Sequence, residues 1–185
     1  MKEEASMLNP RLNTLIMMIV AAAATRLIPH PPNLTSVTAL APFGGAYFLN
    51  RWLAFVVPLG ALLLSDLILG LYPHMEVPYL SFALIVCIGF RLQQHRTAPR
   101  IAGATLLSAL VFFIITNFGV WAFDSLYPRT LPGLVACYTA AIPFIRNTLL
   151  GDVGYTAVLF GGFQVLERRF SGLREPRVAI RPYSS

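Results

Sequence analysis

Residues 52–72 read WLAFVVPLGALLLSDLILGLY. Asp66 is the only charged residue of the stretch, and the rest is almost entirely apolar. About 20 such residues are what an α-helix needs to cross the hydrocarbon core of a bilayer. Polar residues do not recur every three or four positions, so the helix would have no face suited to water. The stretch therefore predicts a membrane-spanning helix.

The whole chain shares this apolar character. Of its 185 residues, 56% are hydrophobic and only 12% are charged, whereas a soluble domain carries about 25% charged residues. Cutting the apolar runs at charges, prolines and turn residues predicts six membrane-spanning helices. They lie at about 12–28, 36–49, 52–72, 78–92, 100–123 and 146–167. The predicted fold class is therefore an all-α bundle of six transmembrane helices, forming one domain over residues 1–168.

Two further segments do not fit a membrane span. Residues 128–144 are apolar but bracketed by prolines and too short to cross, which predicts a helix or loop packed on one face of the bundle. Residues 169–185 are basic and contain prolines, which predicts a solvated or surface-lying tail.

The basic residues predict the orientation, because they concentrate in the cytoplasmic loops of membrane proteins. With six spans and both termini in the cytoplasm, only Arg26, Arg129 and Arg146 face outward. The other eleven basic residues lie on the cytoplasmic side: Lys2, Arg11, Arg51, Arg91, Arg96, Arg100, Arg168, Arg169, Arg174, Arg177 and Arg181. The net charge of +6 is thus explained by topology and by anionic membrane lipid at the tail. It indicates no nucleic-acid partner.

Seven residues in the outer parts of the predicted spans are candidates for binding a substrate. A charge inside a spanning helix costs about 3 kcal/mol or more, so such residues usually face a bundle interior or a water-filled cavity. Gathered near the outer face, the seven would line an outward-facing cavity for a small molecule. They are Arg26, Asp66, Asn117, Trp121, Arg146, Asn147 and Asp152. The four charged residues allow a structural alternative, in which they form ion pairs that fix the helices.

Patterns of the common catalytic and metal sites are missing from the sequence. It contains no GxSxG, HExxH or P-loop motif, and Ser65 beside Asp66 has no histidine base nearby. Cys87 and Cys137 lack metal-ligand spacing. We therefore predict no enzyme, no catalytic residue, no metal and no cofactor. Two alternatives stay open: a membrane enzyme acting at the outer face, with Asp66 or Asp152 as acid or base, and an assembly factor.

Two features of the first helix and its following loop suggest where other molecules approach. Ala21 and Thr25 are small residues four positions apart, a spacing that lets another helix come close. They form either a docking face for a partner subunit or ordinary packing within the bundle. Pro29, Pro31 and Pro32 then end the helix and stiffen the loop. We expect this loop to be a rigid lid at the rim of the cavity.

Four stretches carry a resemblance that covers about residues 12–168. They are RLIPHPPNLTSVTALAPFGGAYF (26–48), PLGALLLSDLILGLYPH (58–74), YLSFALIVCIG (79–89) and NFGVWAFDSLYPRTLPGLVACYTAAIPFIRNTLLGDVGYTAVLFGGF (117–163). The chain resembles a bacterial family of small membrane proteins, DUF6580, related to the substrate-binding S components of energy-coupling factor transporters.

The resemblance implies a function and partners. S components are six-helix proteins of the bacterial cytoplasmic (inner) membrane that bind vitamins or metal ions near the outer face and release them inside. A coupling subunit and two ATPases supply their energy, and an alanine-rich first helix docks on that subunit. Residues 21–25 stand in the corresponding place, although their alanines are not a clean repeat four apart.

A cobalamin-transporting branch of similar proteins offers a more specific comparison. It carries an acid like Asp66, an arginine like Arg146 and a cobalt-ligating cysteine at the outer end of span four. Here that position reads VPYLSFAL (77–84), without a cysteine, and Cys87 lies deeper. This departure argues against cobalamin held by a cysteine.

Overall fold

The computed structural model describes residues 9–29 and 37–175. Within them every regular element is helical, which confirms the predicted all-α class. The six helices are α1 (Pro10–Ala24), α2 (Val37–Tyr47), α3 (Arg51–Leu69), α4 (Glu76–Phe90), α5 (Ala98–Phe123) and α6 (Leu131–Arg169). Of the predicted lid, Pro29 lies at the edge of the described part, and Pro31 and Pro32 lie outside it.

Three of the six helices are long and apolar enough to cross a membrane: α3, α5 and α6. The other three are shorter, with 15, 11 and 15 residues in α1, α2 and α4. A helix of 11 residues is about 16 Å long, roughly half the thickness of a bilayer core. The structure therefore agrees with the predicted number of helices, and it gives three of them the length of a span.

Capping residues determine where several helices begin. The Asn9 side chain accepts hydrogen bonds from the backbone N–H groups of Arg11 and Leu12, at 3.1 and 3.3 Å. Asn50 accepts from the N–H of Trp52 at 2.9 Å. A side-chain oxygen at the N-cap satisfies a backbone donor that has no partner in the first helical turn. These caps place α1 and α3 within two residues of the predicted starts.

The short helix α2 forms the centre of the molecule. All its described side chains are buried, as expected of a helix that is apolar all round. It lies so close to α4 that a Cβ atom on Gly45 would be 2.3 Å from the carbonyl oxygen of Val86. A Cβ on Gly89 would be 2.5 Å from the carbonyl oxygen of Pro42. The two glycines therefore permit a backbone-to-backbone contact between α2 and α4, of the kind that small residues make in membrane bundles.

The last helix differs from its prediction. The sequence predicted a separate segment at 128–144 and a final span from residue 146, but a single helix of 39 residues runs through both. Pro132 lies in the first turn, where a missing N–H costs nothing. Pro143 lies inside the helix, where a proline ring removes one hydrogen bond and bends a helix without having to end it. A π-helical turn at Ala157–Gly161 also lies within α6.

α6 bows away from α5 along part of its length. The two helices touch where the hydroxyls of Thr105 and Thr156 lie 3.2 Å apart, and again where Cys137 donates to the carbonyl oxygen of Asn117 at 3.4 Å. Between these contacts α5 spans twelve residues, about 18 Å, and α6 spans nineteen, about 28 Å. The extra length of α6 must curve outward, which leaves a space between the two helices.

Successive helices run in opposite directions, so their connections gather at two ends. We call the end with connections 70–75 and 124–130 the upper end, and the end with connection 91–97 and residues 170–175 the lower end. At the lower end the tail packs back on the bundle, where Glu175 pairs with Arg96 at 3.0 Å. Leu173 of this tail is buried. Residues 176–185 lie outside the described part, so the solvated or surface-lying tail stays a prediction.

Candidate functional site

A recessed cavity of about 400 Å³ lies at the upper end, in the space left by the bow of α6. Its volume is within the range of pockets that bind small molecules. Its apolar lining is Pro73, Val77, Pro78, Phe112, Phe113, Gly119, Val120, Ala141, Phe144 and Ile145. Its polar lining is Tyr72, His74, Thr116, Asn117, Asp124 and Thr148. The cavity thus combines aromatic and aliphatic walls with a few polar groups.

Three polar side chains in the walls have the same bonding pattern. Thr116 donates to the carbonyl oxygen of Phe112 at 2.8 Å, and Asn117 to that of Phe113 at 2.8 Å. On the facing helix, Thr148 donates to the carbonyl oxygen of Phe144 at 3.2 Å. Each hydroxyl proton, and one amide proton of Asn117, is therefore used within its own helix. The side-chain oxygens keep lone pairs, so the walls mainly offer hydrogen-bond acceptors.

His74 stands at the rim of the cavity. Its φ of 58° is in the left-handed region, which is uncommon outside glycine and costs about 1–3 kcal/mol. The imidazole stacks on Phe123 with ring centroids 5.3 Å apart. Its Nδ1 is 3.3 Å from a carboxylate oxygen of Glu76, and its Nε2 is 4.0 Å from one of Asp124. The imidazole therefore links the two upper connections.

Tyr72 joins the rim from the connection between α3 and α4, outside both helices. Burial is the main cause that raises the pKa of its phenol above the ordinary value, and the charge of Asp66 adds to it. The phenol therefore keeps its proton at neutral pH and remains a hydrogen-bond donor at the cavity.

Two of the predicted residues form a buried ion pair beside the cavity. The guanidinium of Arg26 lies 2.7 Å from one carboxylate oxygen of Asp66. The Tyr79 hydroxyl donates to the other oxygen at 2.9 Å, and Arg26 also donates to the hydroxyl of Ser65. Asp66 is 2% exposed, so both its oxygens are engaged away from solvent. This arrangement corresponds to the structural ion pair that the sequence left open as an alternative.

Asp152 lies apart from both groups. It is buried on α6, and its Oδ1 accepts a hydrogen bond from the hydroxyl of Thr38 on α2. Among the residues that the structure describes, its Oδ2 has no hydrogen-bond partner. Asp152 is not part of the lining of the cavity.

Of the seven predicted residues, only Asn117 lines the cavity. Trp121 turns away and donates from Nε1 to the carbonyl oxygen of Pro128 at 3.1 Å, which anchors connection 124–130. Arg146 is exposed and forms no ion pair within the described part of the chain, and Asn147 is half-buried. Ile145 and Thr148 are three residues apart on the helix, so both face the cavity. Arg146 and Asn147 lie between them in sequence and face other directions.

The two residues predicted to form a docking face lie in different environments. Ala21 is exposed on α1, whereas Thr25 is half-buried and its hydroxyl lies 2.7 Å from that of Tyr155 on α6. Thr25 thus contributes to packing within the bundle. No group of three or more His, Cys, Asp or Glu that could hold a metal occurs in residues 9–29 and 37–175.

Three polar residues of the cavity lining were not predicted from the sequence: His74, Asp124 and Thr148. Glu76, two residues after His74, is a local signal for a hydrogen bond to the imidazole at that position. Nothing local connects His74 with Asp124, fifty residues further along the chain. Thr148 gives no signal in the sequence, because a threonine within an apolar helix commonly bonds to a carbonyl of the preceding turn and need not mark a site.

A family model described as a family of unknown function (DUF6580) matches residues 6–177. No curated protein and no solved structure matches the chain.

Proposed function

The chain belongs to the DUF6580 family, and on that premise we propose that it is a membrane transport protein that binds a small molecule in the cavity between α5 and α6. The cavity of about 400 Å³ is the observation that supports this function most directly. In this proposal α3, α5 and α6 cross the bilayer, and α1, α2 and α4 complete a six-span bundle. The upper end faces outward, and both termini lie in the cytoplasm of a bacterial cell.

The lining suggests the chemical class of the solute. Phe112, Phe113 and Phe144 offer flat apolar surface, which suits a ring or an aliphatic body. Asn117 and Thr148 present oxygens from opposite walls, so the solute would carry N–H or O–H donors on two sides. A vitamin or cofactor precursor fits this description. Because the acceptor groups are few, they would set the orientation of the solute while the aromatic walls supply most of the affinity.

The upper connection 70–75 provides a candidate gate. Gly70 has a φ of 106° at its start and His74 a φ of 58° near its end. Residues with unusual backbone angles at the two ends of a short connection are suited to absorb a change in conformation. In the proposal, this connection opens toward the outside to admit the solute. A coupling subunit with ATPases, as in S-component systems, is the proposed source of energy for release inside.

The proposal is tested by native mass spectrometry of the full-length protein purified gently in detergent. We expect a population whose mass exceeds that of the protein by one small molecule. Ala141 lines the cavity and its neighbour Ala140 is exposed, so they form a matched pair of sites. Ala141→Phe fills the cavity and should remove the additional mass, whereas Ala140→Phe should retain it. A wild-type protein without bound molecule, or an Ala141→Phe variant that keeps it, would overturn the proposal.

A further inference from the structure

Below the cavity, two buried polar atoms have no partner within residues 9–29 and 37–175. Asp152 on α6 and Ser108 on α5 are each 1% exposed. Neither the Oδ2 of Asp152 nor the Oγ of Ser108 has a hydrogen-bond partner among the described residues. Buried polar atoms are nearly always paired, so two unpaired ones suggest that a further group binds here.

The register of α5 and α6 places these two residues at the same height. The helices run antiparallel and meet where the hydroxyls of Thr105 and Thr156 lie 3.2 Å apart. Ser108 is one turn beyond Thr105 on the buried face of α5. Asp152 is one turn before Thr156 on the buried face of α6. Because α5 and α6 run in opposite directions, going forward on α5 from Thr105 and backward on α6 from Thr156 leads toward the same end of the bundle. Ser108 and Asp152 therefore lie at about the same height.

The third wall comes from α2, where Thr38 donates to the Oδ1 of Asp152. Thr38 thus contacts the carboxylate directly, and the register of α5 and α6 brings three further buried hydroxyls to this part of the bundle: those of Thr105, Ser108 and Thr156. Hydroxyl and carboxylate oxygens are the ligands that hard metal cations prefer. Immediately after Thr156 the helix widens into the π-helical turn Ala157–Gly161, a feature that frequently accompanies functional sites.

The charge of the site determines which ion it suits. The described arginines that could neutralise Asp152 are engaged elsewhere: Arg26 with Asp66, and Arg11 with Glu167. A buried carboxylate without a counter-charge is costly, so Asp152 either takes up a proton or binds another cation. Only one carboxylate is present in the described surroundings, and one negative charge matches an ion of charge +1. Divalent ions generally require more carboxylates.

We propose that Asp152, Ser108, Thr38, Thr105 and Thr156 form a buried binding site for a monovalent metal cation, and sodium is the ion with which to test it. An ionisable residue within a membrane-spanning helix commonly marks an ion pathway or a coupling site. None of the five residues lines the cavity. The inference concerns ion binding alone and does not rest on the proposed solute.

The test is the thermal unfolding of the purified full-length protein in detergent, without added solute, in sodium chloride and in choline chloride at equal ionic strength. An ion that binds only the folded state raises the melting temperature. At a sodium concentration about 100 times the dissociation constant, we expect a rise of about 5 °C or more. Asp152→Asn should abolish the difference between the two salts.

Ser108→Ala keeps the proposal falsifiable if Asp152→Asn does not fold, because it removes one oxygen ligand and no charge. It should reduce the sodium-dependent rise by at least half. The matched control is Ser125→Ala, at an exposed serine of connection 124–130, which should keep the full rise. Equal melting temperatures of the wild type in the two salts, or a full rise in Ser108→Ala, would overturn the site.

Discussion

At the scale of single residues, charged groups within the helices occur in two different states. Asp66 has both carboxylate oxygens occupied, by Arg26 and by Tyr79. Asp152 has one oxygen occupied by Thr38, and within the described residues the other is vacant. The first arrangement is complete in itself and stabilises the fold, whereas the second is completed by a proton or by another cation. Two aspartates that look alike in the sequence are therefore expected to have different roles.

The ion pair leads to a stability prediction. Asp66→Asn leaves the guanidinium of Arg26 buried without its counter-charge, which should lower the free energy of unfolding by about 3–5 kcal/mol. Chemical unfolding of the purified protein measures this difference. Glu76→Gln is the control, because the contact of Glu76 with His74 is exposed to water and its loss should cost far less stability. Equal losses in the two variants would contradict the structural role of Asp66.

At the scale of elements, the molecule depends on how closely α2 approaches α4 and on how far α6 departs from α5. The first depends on Gly45 and Gly89, which have no side chain to keep the two backbones apart. The second was not predictable, because it depends on whether Pro143 ends the helix or only bends it. Whether a proline ends or bends a helix depends on the packing around it.

The contact between α2 and α4 leads to a second prediction. Gly45→Ala places a methyl group 2.3 Å from a backbone oxygen, so the two helices must separate. We expect a loss of about 1–3 kcal/mol in the free energy of unfolding. Gly103→Ala on α5 is the matched control, since nothing lies within 4 Å of its added Cβ. Alanine favours a helix over glycine by about 1 kcal/mol, so this variant should be slightly stabilised. Unchanged stability of Gly45→Ala would contradict the close contact.

The bow of α6 leads to a third prediction. Pro143→Ala restores a backbone hydrogen-bond donor inside the helix and favours a straighter α6. The cavity between α5 and α6 should then shrink, and less small molecule should remain bound in native mass spectra. Pro132→Ala is the control, because a proline in the first turn does not bend a helix. If both variants retain the wild-type amount, the bow does not create the binding site.

At the scale of the whole molecule, hydropathy was sufficient to predict an all-helical chain and the approximate bounds of five helices. It could not predict how each helix is rotated about its axis. Arg146 and Asn147 belong to the correct helix but point away from the cavity, whereas Thr148 points into it. The rotation results from packing with neighbours distant in sequence. A sequence can therefore indicate the end of a bundle at which a candidate site lies without identifying the residues that line it.

The proposed orientation in the membrane leads to a fourth prediction. In a Cys87→Ser background, Ser125→Cys at the upper end should react with a membrane-impermeant maleimide added to intact cells. Gln94→Cys, in the exposed connection at the lower end, should react only after the cells are made permeable. Equal labelling of both positions in intact cells would contradict the proposed orientation.

The proposed function requires that a small molecule occupies the cavity between α5 and α6. An experimental density map of the protein as purified under gentle conditions tests this most directly. We expect non-protein density in contact with Asn117 on α5 and Thr148 on α6, enclosed by Phe112 and Phe144. A map in which α6 lies straight against α5 with no space between them, or in which the bound molecule sits elsewhere, would contradict it.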